Sequence, residues 1–267
     1  MSEVATLGDV LKTLGCHPSL AQFPFDFITE FPSYEAYAHA YISEFIANTN
    51  HARTWFTARK NAPILVICEE AFDHDDWCSY PAVARFTGET LESLNRAEGT
   101  IILQFCCNCG SLHENGAWIL SEIICQALTN DLCDFSVIHI PRRADSDKPF
   151  EYMQLEEMLE QVLSALLKQA PVVIAVDSVH RYEAPKEANV HVFTALSKLI
   201  ELAQTNQERH PLKVVITSVN DLGFLQKPEG IAKIVRVPEE ERQKAWEIGE
   251  QHANEKQYAS EDEEEGE

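Results

Sequence analysis

The chain has 267 residues, 43 acidic against 21 basic, for a formal net charge of -22, and 45% of it is hydrophobic. That much apolar material can bury one large core with appendages. The acidic surface repels phosphate, so direct nucleic-acid and anionic-membrane binding are disfavoured, while basic protein partners or plain solubility are served.

The first 32 residues are punctuated by Pro18, Pro24 and Pro32 and carry Phe23, Phe25, Phe27 and Phe31 without helical periodicity. They read as an irregular arm, with no basic stretch and apolar core of a signal peptide over Met1–Asp9. Ser33 starts a helix to about Asn48, with Tyr34, Tyr37, Tyr41, Phe45 and Ile46 along one face.

From residue 63 the pattern changes. Short apolar runs, PILVIC (63–68), TIILQFCC (100–107), FSVIHI (135–140), PVVIAV (171–176) and LKVVIT (212–217), alternate with longer amphipathic stretches. Their β-branched content and lack of polar alternation fit strands buried on both faces of a parallel sheet. The helices expected between them span about 82–97, 117–129, 152–169 and 190–207. In the third, Leu155, Met158, Leu159, Val162, Leu163 and Leu166 recur at helical spacing. Alternation of strand and helix predicts a doubly wound, mainly parallel five-stranded sheet flanked by helices. Residues 231–237 (IAKIVRV) read as one more strand and Pro238 onward as a polar helix. The terminal SEDEEEGE is expected to be disordered. The resulting division is an N-terminal arm and helix (1–50), an α/β domain (51–237), and a polar helix with an acidic tail (238–267).

The eight cysteines are at 16, 68, 78, 106, 107, 109, 125 and 133. Cys68, Cys106 and Cys107 sit in apolar strand-like runs, where thiols behave as small hydrophobes. Reduced cysteines in a cytoplasmic or nuclear compartment are the expectation. No apolar run approaches the roughly 18 residues of a membrane span.

Asp177 directly follows the apolar run 171–176, which gives the shape of a Walker B motif: a hydrophobic strand ending in an acid that faces the ligand crevice. The same pattern serves an ordinary turn, because Asp caps turns well. Its context is wider. PVVIAVDSVHRYE (171–183) precedes a helix and then LKVVITSVND (212–221), a strand ending in Thr-Ser. Upstream, residues 99–128 read as strand, polar loop and helix, and a tryptophan-bearing segment, Arg53–Lys60, precedes the first strand.

Over about residues 35–225 this order resembles the NACHT-type branch of the STAND P-loop ATPases, the fungal members above all. The resemblance implies a P-loop NTPase-like fold, a Walker B strand beside the first strand, and a role in regulated assembly. It matches the Walker B acid to Asp177. The second family acid falls at His180 or Arg181, with Glu183 slightly too late, and the arginine after Thr-Ser is Val219 here.

The main departure is the phosphate loop. G-x-x-x-x-G-K-[ST] supplies wrapping N–H groups, a neutralising lysine and a Mg²⁺-binding hydroxyl. The sequence after PILVIC is EEAFDHDDWCSYPAVARF, without glycine or lysine, and with Glu69, Glu70, Asp73, Asp75 and Asp76 around His74. A triphosphate would meet repulsion there. The expectation is a pseudo-ATPase without catalytic residues or cofactor, binding protein partners within a larger complex.

Three other chemistries compete. Asp73, Asp75, Asp177 and His180 could hold a divalent metal for a hydrolase, and residual NTP binding through unconventional contacts is a further alternative. Cys106, Cys109, His113 and Cys125 have part of a zinc spacing, although core thiols explain the cysteines more simply. The acidic tail could meet basic proteins or merely solubilise the chain.

Overall fold

Strands that are apolar on both faces need helices on both faces. A computed structural model of the chain shows how they are supplied; it describes residues 6–15, 33–58, 63–69, 99–106, 116–142, 149–177, 179, 189–218 and 232–264. The strands are β1 (Ile64–Glu69), β2 (Ile101–Cys106), β3 (Val172–Asp177), β4 (Leu212–Ser218) and β5 (Ala232–Val237). The helices are α1 (Leu7–Leu14), α2 (Ser33–Asn48), α3 (Asn50–Thr57), α4 (Gly116–Thr129), α5 (Tyr152–Leu167), α6 (Asn189–Thr205) and α7 (Glu239–Glu264). The helix expected over 82–97 lies outside the described residues.

All pairs in the sheet are parallel, in the order β2-β3-β4-β1-β5. The expectation that β3 lies beside β1 is corrected: β4 stands between them. From β1 the chain crosses to the far edge at β2, then steps inward through β3 and β4. The last inward step lands against β1 before the chain passes to β5.

Side-chain alternation divides the core in two. Ile64, Val66, Leu103, Val172, Ile174, Val214 and Ile216 join a cluster with α1, α4, α5 and α6. Leu65, Ile67, Val173, Ala175, Val215, Val235 and Val237 join a second with α2, α3 and α7.

Three further expectations change. The arm is not irregular throughout, because Leu7–Leu14 is helical. Thr6 and Asp9 form a capping box, and Gly15 closes the helix at φ 77°. Residues 135–140 are not a strand: Phe135–Val137 is one turn of 3-10 helix. The backbone of His139 donates to Gln161 Oε1 (2.6 Å) and accepts from Gln161 Nε2 (3.3 Å). A side-chain amide thus satisfies peptide groups that a strand would have paired in the sheet. Finally, α7 runs through Glu264, so residues 260–264 of the expected disordered tail are helical. A helix nucleated by a packed first half propagates readily through Glu, Lys, Gln and Ala.

Side chains fasten the second helical layer. Trp55 Nε1 donates to Pro63 C=O (3.1 Å), and Lys213 Nζ on β4 donates to the carbonyls of Trp55 (2.7 Å) and Phe56 (3.0 Å) at the end of α3. The same ammonium lies 5.1 Å from the Trp55 ring centroid. Tyr41 Oη of α2 donates to Glu241 of α7 (2.7 Å), Lys244 Nζ donates to the same carboxylate (2.6 Å), and Tyr37 stacks on His252 at 3.9 Å.

Trp55→Ala is expected to lower unfolding stability by about 3–5 kcal/mol, since it empties a site that is 1% exposed. Lys213→Met should cost less, about 1.5–3 kcal/mol, by releasing the α3 carbonyls; urea unfolding of both variants checks the order. Lys244 first, and Tyr41 second, hold the Glu241 carboxyl below its usual 4.5. A depressed carboxyl contributes stability above its unfolded value and loses it as pH falls through the folded one. Tyr41→Phe should therefore be less stable near neutral pH and lose less on acidification, which midpoints measured down to strongly acid pH will show.

Candidate functional site

In an open parallel sheet, ligands bind outside the carboxyl ends of the strands, where the direction of strand succession reverses. Here the connection leaving β1 heads towards β2, and the connection leaving β4 heads the other way, to β5. The reversal falls between β1 and β4. The candidate crevice therefore opens at the ends of these two strands, with β3 beside β4.

Register defines its floor. Ile67 pairs with Thr217 and Cys68 with Ser218 across β1 and β4. Val176 pairs with Ile216, and Asp177 pairs with Cys106 on β2. Asp177 is thus level with Thr217 and Ile67, and Glu69 lies two residues further along β1, opposite Val237 of β5. The backbones of β3 and β1 are about 10 Å apart, two strand spacings. Both sequence-predicted acids of the sheet, Glu69 and Asp177, stand on the same edge with β4 between them.

Thr217 and Ser218 are 3% and 4% exposed, and Cys68 is a buried thiol outside any disulfide. These groups can hydrogen-bond, but they bring no charge to a phosphate or metal. The other sequence-predicted positions, Glu70, Asp73, His74, Asp75, Asp76 and His180, lie outside the described residues, as do Arg181, Glu183 and Val219. Among the described residues no group of three or more His, Cys, Asp or Glu is placed to hold a metal.

Among the described residues, β5 and α7 bring cations near this edge. Arg236 is in register with Cys68, and Arg242, in the first turns of α7, is 3% exposed. It is the one charged residue in the buried class among those described. A sequence reading of 238–267 as a polar helix missed it. The available signal was its spacing of three from the buried Ala245, which puts both on one helix face.

The cysteines differ from expectation at one position. Cys68 is a buried core thiol outside any disulfide, but Cys125, buried on α4, is disulfide-bonded rather than reduced. A bonded Cys125 is no zinc ligand in this structure, which takes it out of the candidate zinc set; Cys109 and His113 lie outside the described residues. The bonded state of Cys125 is not disclosed by runs of sequence read singly.

The structure is similar to that of the Aeropyrum pernix ORC1 protein, solved in complex with DNA, with 16% identity and a TM-score of 0.39. The match covers 80% of this chain and 47% of that one, so this chain spans about half its length. No family model and no curated protein matches. No helix among the described residues is long and apolar enough to cross a membrane.

Burial first, and Asp134 second, push the Cys133 thiol above its usual value. Alkylation of the native protein should therefore reach the partly buried Cys133 before the buried Cys68, and accelerate as pH rises and the thiolate forms. Cys68 should be labelled only on unfolding. Mass spectrometry of timed alkylation reads the order directly.

Proposed function

We propose that this chain is a non-catalytic protein-binding or regulatory subunit, built on a P-loop NTPase-like domain of NACHT type whose phosphate loop has been lost. The observation that carries the reading is the continuation of β1. At the strand end where the crevice opens, a nucleotide-binding domain needs glycine N–H groups and a lysine. This chain continues with Glu69 and Glu70, then Asp73, Asp75 and Asp76, without either residue. A phosphate held there would face several like charges, each costing on the order of 1 kcal/mol or more when partly desolvated. The sheet order supports the same reading, because it puts β1, β4 and β3 side by side with Glu69, Thr217-Ser218 and Asp177 at their ends.

A domain without that chemistry acts through its surfaces. The net charge of -22 favours basic protein partners over nucleic acid. Association within a larger cytoplasmic or nuclear complex follows from the family resemblance, in which such domains drive regulated assembly.

Thermal unfolding with ATP, ADP or GTP, each with Mg²⁺, tests the reading. Ligand at a hundred times its Kd would stabilise by about 2.7 kcal/mol, several degrees in Tm, and no such shift is expected. A nucleotide-dependent rise in Tm overturns the proposal. A rise with Mg²⁺ or Mn²⁺ alone that disappears in Asp73→Ala or Asp177→Ala would replace it with metal binding at this edge.

A further inference from the structure

Polar side-chain bonds fasten α2, α3 and α7 to the rest of the fold, at Tyr41–Glu241, Trp55–Pro63 and Lys213. α1 is held differently. The Thr6–Asp9 capping box closes its N-terminus, and the Thr13 hydroxyl donates to the Asp9 C=O (2.8 Å). At the other end, the Gly15 N–H turns back to the carbonyls of Leu11 and Lys12. Among the described residues, every hydrogen bond made by residues 6–15 stays within that segment. What attaches it is apolar contact. Val10 and Leu14 are buried, Leu7 and Leu11 pack beside them, and all four join the core cluster on the α4 face. Their spacing, i, i+3, i+4 and i+7, makes one stripe along a helix. The opposite side, Gly8, Asp9 and Lys12, is exposed.

The floor beneath α1 is chiefly α4. A Cβ built on Gly15 would stand 3.5 Å from the Trp118 ring, which puts that end of α1 at the first turn of α4. α4 buries nine of its fourteen residues, so one side faces the sheet and apolar surface remains for a second helix to cover. An eight-residue helix is too short to keep its shape alone in water, so the order of α1 depends on four docked side chains. Undocking breaks none of its described hydrogen bonds to the rest of the chain, because it makes none. No described element precedes α1, so it leaves without drawing a strand or crossing helix after it. A unit attached in this way opens at a smaller free energy than the sheet. The surface it uncovers fits an amphipathic helix, since it holds one.

We propose that α1 is the displaceable cis occupant of a helix-binding groove on α4, and that the groove's partner in trans is an amphipathic helix with the same apolar stripe and a basic outer side. The seated α1 sets the apolar spacing. Charge sets the rest. α1 carries one acid and one base on its outer side, Asp9 and Lys12, and so gains nothing from the field of a chain at -22. A helix with Lys or Arg at those outer positions gains that attraction and displaces α1, whereas α1 of a second copy would have to approach through like charge. The proposal names a surface for the protein-binding role inferred above, and nothing in it depends on whether the crevice binds nucleotide.

Hydrogen exchange of the full chain tests the release of α1 without any variant: amides of residues 10–15 should exchange about tenfold faster than those of residues 120–128, or more. Fluorescence anisotropy of a labelled synthetic peptide of residues 1–15 then tests the groove. In full-chain Val10→Asp a carboxylate at a buried position unseats α1. The peptide should bind this variant about tenfold more tightly than wild type or more, because in the wild type only the undocked fraction can accept it. The same peptide with Leu14→Asp should not bind. Residues 8 and 12 are exposed, and a Cβ at Gly8 meets only Thr6 Oγ1 at 3.8 Å. A Gly8→Lys peptide should therefore bind severalfold more tightly than one with Gly8→Glu and Lys12→Glu, by a margin that closes as salt is raised. If Val10→Asp does not fold, Leu11→Asp serves, since Leu11 is only partly buried. Equal exchange of α1 and α4, equal binding to wild type and variant, or binding that survives Leu14→Asp overturns the groove. Indifference to the charge of the peptide overturns the basic partner.

Discussion

The structure depends on burying one parallel sheet from both sides. β1 and β4 are bonded on both edges, and their side chains alternate between two separate cores. Parallel strands cannot be joined by tight turns, so each connection must cross a face, and the crossing helices supply the apolar cover the strands require. The crossover helices α4, α5 and α6 lie with α1 over one face, while α2 and α3, which precede β1, and α7, which follows β5, cover the other.

A buried apolar sheet makes its peptide groups expensive wherever the ladder stops. The described structure meets that demand with single side chains. Gln126 covers the outward peptide of β2, Gln161 holds the ascending connection after α4, and Lys213 reaches from β4 to the final carbonyls of α3. Each sits on a regular element and points to backbone some way off in sequence. These contacts give the irregular parts of the fold a definite position without lengthening the sheet.

The same geometry sets what the carboxyl edge can do. Parallel strands end together, so β1, β3 and β4 bring Glu69, Asp177 and the Thr217-Ser218 pair to one rim. Among the described groups there, the uncharged ones are buried, and the positive charge lies across on β5 and α7.

Much of this was legible in the amino-acid sequence. Of the six runs read as strands, those at 63–68, 100–107, 171–176, 212–217 and 231–237 are strands, in keeping with their β-branched content. The helices at 33–48, 117–129 and 152–169 were readable from apolar periodicity, and the edge acids from their position after such runs. Residues 135–140 have the same local character as the strands, yet they form a 3-10 turn and a connection whose His139 backbone is paired by Gln161, 22 positions away. Strand order and the bonded state of Cys125 were equally beyond reach. Local pattern reports what a segment must bury or satisfy; it does not report which distant partner does so. The sequence by itself determined the elements and the acidic character of the edge, and the tertiary structure decided their neighbours, because neighbours are set by chain crossings and side-chain contacts between residues far apart.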